Sequence, residues 1–223
     1  MGQINPDFIV MLYRVPVLLV SFMLHELSHA FTAYRCGDMT AKQAGRISFN
    51  PIRHIDPIGA VLLIMAGFGW AKPVPINPDN FRNKKAGIVL TSLAGPFSNI
   101  VLAIIFYAAY IIYAAYGRAA PFLPFSAAGQ VIISILYQFF FINICLAAFN
   151  LIPIPPLDGS KALFSFLPDK IYYGYVLKYE RFGMIALVLL SFSGLLITVL
   201  GPVMDVISSF VEAVAWPLAS LFL

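Results

Sequence analysis

FIVMLYRVPVLLVSFMLHELSHAFTA, residues 8–33, is an apolar run that carries the motif HELSH at residues 25–29. A helix that crosses a bilayer needs roughly 20 mostly apolar residues, so this run is long enough to span. It is longer than the apolar core of a signal peptide, and its removal would remove the motif, so we expect it to remain as a spanning helix. Ionisable side chains in such a helix are costly and usually functional.

The composition places the rest of the chain in a membrane as well. Hydrophobic residues make up 61% of its 223 residues and charged residues 11%, against about a quarter charged in soluble proteins. Further apolar runs lie at 87–116, 128–152, 182–199 and 203–221, the last two separated by the turn signal Gly201-Pro202, and a shorter run lies at 58–69. We predict an all-α polytopic membrane protein, a bundle of about five to six transmembrane helices that forms one domain over residues 1–223 in the lipid bilayer.

The basic residues lie between the apolar runs and act as topology signals, so the net charge of +4 does not indicate a nucleic-acid partner. Those flanking the run 58–69 place both of its ends in the cytoplasm; they are Arg35, Lys42, Arg46 and Arg53 before it and Lys72, Arg82, Lys84 and Lys85 after it. A helix over 58–69 rises only about 18 Å, so we predict a re-entrant segment. The Arg46–Phe49 stretch is a candidate embedded β segment. We expect no disulfide framework from the two cysteines.

The HELSH motif matches H-E-x-x-H, in which histidines four residues apart share one helical face and can bind one metal ion. Glu26 then lies beside the metal as a general base. In a soluble helix, two surface histidines would be the alternative, but three ionisable groups inside an apolar run favour the metal. If the helix ends near Arg35, His25 and His29 lie on the order of 9 to 15 Å below the cytoplasmic surface.

A catalytic zinc needs a third protein ligand, and Asp158 is the strongest candidate. It closes the segment NLIPIPPLDG, residues 150–159, where three prolines end an apolar run and Gly159 permits an unusual backbone. The alternative is that Asp158 only caps a helix that begins near Ser160. His54 is a second candidate ligand, and the roles of His54 and Asp56 stay open.

Three blocks of this sequence resemble the signatures of the site-2 protease family of intramembrane zinc metalloproteases. They are HELSH at 25–29, GPFSN at 95–99 and the block at 150–159, and the resemblance extends from about Phe8 to Ser165. It implies Zn²⁺ held by His25, His29 and Asp158, Glu26 as the catalytic base and Asn150 near the reacting carbonyl. Relatives with a peptide-binding or nucleotide-sensing domain differ from this chain, and the stretches 50–57 and 71–75 resemble a compact subgroup that lacks both.

The expected activity is hydrolysis of peptide bonds within or near transmembrane segments of membrane proteins, with Glu26 activating a zinc-bound water. A substrate helix must unwind or add as an extended strand, for which residues 37–56 are a candidate edge. We expect an integral protein of a prokaryotic cell membrane with its active site towards the cytoplasm. A metal transporter and an inactive scaffold that binds transmembrane segments remain alternatives. The physiological substrate and the oligomeric state do not follow from the sequence.

Overall fold

The computed structural model describes residues 6–59, 69–119, 126–171 and 180–223, and these are mostly helical. The helices are α1 (Pro6–Cys36), α2 (Thr40–Gln43), α3 (Lys84–Ala119), α4 (Ala127–Leu151), α5 (Asp158–Phe164), α6 (Asp169–Ile171), α7 (Glu180–Ser193) and α8 (Leu195–Ser220). Short 3-10 turns lie at Pro51–His54 and Pro78–Asn80. The all-α expectation is therefore confirmed for the described ranges.

Four helices of the described part are long and apolar enough to cross a membrane. Their spans are Tyr13–Cys36 in α1, Lys84–Tyr116 in α3, Ala128–Leu151 in α4 and Leu195–Ser220 in α8. The 14 residues of α7 that the structure describes, Glu180–Ser193, rise about 21 Å, which by itself is short of a hydrocarbon core. The described ranges thus contain fewer spanning helices than the five to six that we predicted.

The turn predicted at Gly201-Pro202 is wrong. The chain turns instead at Gly194, whose φ of 76° lies in the left-handed region that glycine adopts at little cost. Helix α8 then continues through Pro202. A proline removes one helical hydrogen bond, but neighbouring helices and local adjustments make that loss tolerable in membrane helices.

Two hydrogen bonds define the ends of the bundle. The backbone N–H of Arg82 donates to the Cys36 carbonyl at 3.0 Å, so the end of α1 meets the start of α3. The Tyr116 hydroxyl donates to the Phe222 carbonyl at 3.0 Å, so the last turns of α3 and α8 lie together at the opposite end. We call the first of these the basic end, since Lys42, Arg46, Lys72 and Arg82 lie in the segments attached to it.

The predicted β segment at Arg46–Phe49 is not a strand. The β pairing found among the described residues is an isolated antiparallel bridge between Ile55 and Ala71, reinforced by the Lys72 N–H donating to the His54 carbonyl at 2.9 Å. This pairing joins the two flanks of the 58–69 run at one end of the bundle. Most of that run, residues 60–68, lies outside the described residues, as does the predicted re-entry.

Small and aliphatic side chains pack the spanning helices together. Ala103 of α3, Ile144 and Ala147 of α4, and Val211 of α8 belong to one buried cluster. Small residues let helix backbones approach closely, which is how helices associate where lipid supplies no hydrophobic drive. Helix α1 packs on α3 and α4 and carries the candidate site into this bundle.

Candidate metal centre

The three predicted ligands meet at one point inside the protein. His25 and His29 lie one turn apart on α1 with their Nε2 atoms 3.0 Å from each other. The Oδ2 atom of Asp158 lies 3.2 Å from Nε2 of His25 and 3.1 Å from Nε2 of His29. All three residues are buried, with exposed fractions of 5, 6 and 8%.

The spacing of these atoms fits a zinc ion. With bonds of about 2.0–2.1 Å, two ligands of a tetrahedral zinc lie roughly 3.3 Å apart. The three observed separations, 3.0 to 3.2 Å, come close to that value. His25, His29 and Asp158 are therefore placed to hold a metal ion.

The protonation of His29 follows from its other ring nitrogen. Nδ1 of His29 lies 2.7 Å from the backbone carbonyl of Thr91. A carbonyl only accepts hydrogen bonds, so Nδ1 carries the proton, and Nε2 of the neutral ring presents a lone pair to the cluster.

A chain of amides fixes His25 in the same way. Nδ1 of His25 lies 2.6 Å from Oδ1 of Asn99, and Nδ2 of Asn99 donates to Oδ1 of Asn143 at 2.7 Å. Nδ2 of Asn143 donates to the Phe139 carbonyl at 2.8 Å and to the Ser21 hydroxyl at 3.0 Å. Because the Phe139 carbonyl can only accept, it fixes the orientation of both amides and places the proton of His25 on Nδ1.

When both rings are neutral, three acceptor atoms converge here: Nε2 of His25, Nε2 of His29 and Oδ2 of Asp158. Two imidazole lone pairs and a carboxylate oxygen, all buried, repel one another unless a cation lies among them. The chemistry of the donor set thus fits zinc as well as the spacing does. Outer hydrogen bonds of this kind orient metal ligands in known zinc sites. Asn99 accordingly orients His25, one of the three residues placed to hold a metal ion.

Gly95 of α3 leaves room for the two imidazoles. A Cβ atom built at Gly95 would lie under 3.0 Å from Nε2 of both His25 and His29. The glycine therefore lets the backbone of α3 approach the cluster.

Asp158 reaches the histidines because α4 ends at Leu151 and α5, which begins at Asp158, packs close to that end. The N-cap of α5 is Leu157, without a side-chain cap bond, so the alternative of Asp158 as a cap is wrong. Gly159 is helical, and a Cβ there would collide with the Leu151 and Ile152 carbonyls. Its role is to provide space for α5, so the predicted unusual backbone at Gly159 is also wrong.

Glu26 and Asn150 border one cavity beside the cluster. The cavity has a volume of about 500 Å³ and also borders His25. Oε2 of Glu26 accepts the backbone N–H of Val74 at 2.9 Å, and Nδ2 of Asn150 donates to the Leu146 carbonyl at 3.0 Å. Most of the lining is apolar and comes from α1, α4, α7, α8 and the segment at 69–71; it includes Leu18, Phe22, Phe149, Leu187, Leu196 and Leu200.

His54 and Asp56 are not brought to the cluster. His54 is buried and its Nε2 donates to the Ser48 carbonyl at 2.9 Å. Oδ1 of Asp56 accepts the backbone N–H groups of Ile58 and Gly59, both at 2.9 Å, as a capping side chain does. Both residues thus shape the loop next to the cavity.

Comparison with known proteins agrees with this geometry. The sequence profile of peptidase family M50 matches residues 13–191. A relative named "Putative zinc metalloprotease YwhC", from Bacillus subtilis, is 40% identical over 86% of this chain and 86% of its own. Two relatives with the same form of name are Rip2 of Mycolicibacterium smegmatis, 34% identical over 65% of this chain and 53% of its own, and MJ0611 of Methanocaldococcus jannaschii, 30% identical over 71% and 73%. No solved structure matches.

Proposed function

The chain belongs to peptidase family M50, the site-2 protease family, and from that premise we propose that it hydrolyses peptide bonds within or near transmembrane segments of other membrane proteins. The observation that carries the proposal is the cluster of three buried side chains placed to hold a metal ion beside Glu26, at the edge of an apolar cavity. The mostly apolar lining of this cavity suits a transmembrane segment better than a soluble peptide. We also propose that residues 1–223 form one membrane-embedded protease domain.

His25, His29 and Asp158 are the ligands that would hold the zinc ion. When bound, zinc lowers the pKa of a coordinated water towards about 7 and polarises a carbonyl. Glu26 then accepts the proton of the attacking water and passes it to the leaving nitrogen, which makes it general base and then general acid. One carboxylate oxygen is occupied by the Val74 N–H, so Oε1 is the atom that handles the proton.

Asn150 is proposed to bind the substrate near the reacting carbonyl. Its amide nitrogen has two hydrogens, and the bond to the Leu146 carbonyl uses one of them. The second remains for a substrate carbonyl in the shared cavity. Hydrogen-bond donors placed where negative charge develops are among the larger contributions to acyl-transfer catalysis.

We propose that the site opens towards the cytoplasm, because the segments at its end of the bundle carry the basic residues. Asp38 accepts the backbone N–H of Asn77 at 2.7 Å and follows the end of α1, so the segments around residues 38–42 and 77–80 share one side. Single cysteines introduced at Lys42 and Asn77 should both react with a reagent confined to the cytoplasmic side. Reaction of either one from the opposite side only would refute this orientation.

Cleavage of a membrane substrate by the purified protein tests the activity. In detergent, a model transmembrane substrate should be cut, a chelator should stop the reaction, and added zinc should restore it. A metal transporter would bind zinc without cutting, and an inactive scaffold would bind the substrate without cutting. Either outcome would overturn the proposed hydrolysis.

A further inference from the structure

Arg46 is a buried arginine whose guanidinium binds backbone carbonyls. The residue is 6% exposed and lies in the segment that follows α2. Nη1 donates to the Pro73 carbonyl at 2.8 Å, and Nη2 donates to the Lys72 carbonyl at 2.5 Å. Burying a cation is costly, and its hydrogen bonds offset that cost. In Arg46 the two Nη groups make such bonds, whereas Nε has no partner among the described residues.

The peptide unit that Arg46 holds also touches Glu26. The Pro73 carbonyl accepts from Arg46, and the N–H of the next residue, Val74, donates to Oε2 of Glu26 at 2.9 Å. Both groups belong to one planar peptide unit, in which the C=O and N–H point in opposite directions. A single rigid unit therefore joins the guanidinium to the carboxylate.

The surroundings allow this peptide unit few alternatives. Pro73 has no N–H of its own, so Val74 supplies the amide at this point of the segment. The Val74 side chain is buried in a cluster with Ala30 and Ala41. The Lys72 N–H is already bonded to the His54 carbonyl at 2.9 Å.

We propose that Arg46 is a positioning residue for the reaction: it fixes the Pro73–Val74 peptide unit so that its N–H holds one oxygen of Glu26 and leaves the other facing the attacking water. The inference rests on the proposed function, because it assigns Glu26 the role of base. Hydrogen bonds to ionised groups are stronger than neutral ones, and a guanidinium on the carbonyl side polarises the same peptide unit towards the carboxylate. A displaced base loses rate even when it still reaches the site, and misplacement of about 1 Å can cost about 100-fold.

The matched pair for the test is Arg46→Gln and Arg53→Gln. Arg53 is an exposed arginine of the same region that donates to the Gly45 carbonyl at 2.8 Å, a contact that does not lead to Glu26. Arg46→Gln should lower kcat by about 100-fold with KM changed by less than about threefold, while zinc per chain stays stoichiometric. Arg46→Lys replaces the planar guanidinium by a single ammonium group and should recover part of the lost kcat. Arg53→Gln should match the unaltered protein in zinc per chain and in the position of the Glu26 carboxylate, because its contact does not lead to Glu26.

A readout independent of cleavage is the amide exchange of Val74. In the fragment at 72–76 only Lys72, Val74 and Ile76 have exchangeable backbone amides, because the other two residues are prolines. Arg46→Gln should speed exchange in this fragment by about 10-fold or more, and Arg53→Gln should not.

The outcomes separate the inference from the function on which it rests. If the unaltered protein cleaves and Arg46→Gln cleaves as fast, or exchanges no faster at Val74, the positioning role is overturned. Loss of zinc and of the folding transition in Arg46→Gln would show that Arg46 only stabilises the fold. That result would overturn the positioning role as well. Absence of zinc-dependent cleavage by the unaltered protein would instead refute the proposed function.

Discussion

His25 and Glu26 are neighbours on α1, yet two different regions of the molecule hold them. His25 is oriented from inside the bundle by Asn99 and Asn143, on α3 and α4. Glu26 is held from outside the spanning helices by the Val74 amide of a segment at the basic end. In the proposed mechanism, metal binding and proton transfer therefore have separate supports, so that a substitution can damage one and spare the other.

The largest effect on the metal side is expected from Asp158→Ala. This change removes a carboxylate that lies within 3.2 Å of both imidazoles, so bound zinc and activity should be lost together. His54→Ala should keep its zinc and lose activity only in part, because His54 bonds to the Ser48 carbonyl. Measured zinc per chain decides between them, and stoichiometric zinc in Asp158→Ala with none in His54→Ala would reverse the assignment.

Gly95→Ala should also damage the metal side without touching a ligand. The added Cβ would lie under 3.0 Å from both Nε2 atoms, and the imidazoles cannot turn away while their Nδ1 atoms are bonded. We expect zinc occupancy to fall below half, measured by metal analysis of the purified variant. Gly201→Ala is the matched control, because a Cβ there meets nothing within 4 Å. Full occupancy in Gly95→Ala would show that the ligands lie elsewhere.

Asn99→Leu should weaken zinc binding by a smaller amount. The substitution removes the acceptor of the His25 Nδ1–H but leaves all three ligands, and loss of such an outer partner typically costs 10- to 100-fold in metal affinity. Asn143→Leu, one bond further out, should cost less than Asn99→Leu. Zinc competition with a chelator measures both changes. An unchanged zinc affinity in Asn99→Leu would show that the chain of amides does not support the metal site.

The smallest effect concerns Asp38, which ties the segment at Asn77–Asn80 to the end of α1. Burial by itself raises the pKa of Asp38, but hydrogen bonds from Asn80, Thr40 and Asn77 outweigh it and leave the pKa below its ordinary value of 3.8. The stabilisation is therefore fully present above the unfolded pKa and is lost as pH falls through the lower folded pKa.

Asp38→Asn should lower the free energy of unfolding by roughly 1–3 kcal/mol at pH 7, with a difference that shrinks below about pH 4. Thermal unfolding in detergent across this pH range measures it. Asp79→Asn is the control, because its ion pair with Lys84 is exposed and worth little. A constant difference between Asp38→Asn and the unaltered protein at every pH would exclude the carboxylate as its source.

The parts of the molecule that could be predicted from the sequence are those marked by the types of their side chains. Long apolar runs gave α1, α3, α4 and α8, and the spacing of HELSH together with the proline-rich block gave His25, His29 and Asp158. The turn was misplaced because a Gly-Pro pair ends helices in water more readily than in a bundle, where neighbouring helices make a proline tolerable.

The supports of the site were harder to predict because backbone groups supply much of them. The Thr91 carbonyl, the Phe139 carbonyl and the Val74 amide carry no signal in the identity of their residues. Asn143 did carry one, since an amide inside an apolar run must find a hydrogen-bond partner. Arg46 was assigned as a topology charge, and only its burial against two carbonyls shows a second role.

Glu26→Gln decides whether this chain holds zinc with one set of residues and moves the proton with another. The substitution keeps the shape of the side chain and removes its ability to act as a base. Zinc per chain and cleavage of a model membrane substrate should be measured on the same purified sample. The proposed mechanism predicts stoichiometric zinc with cleavage reduced by at least about 1,000-fold. Cleavage at the rate of the unaltered protein would contradict it.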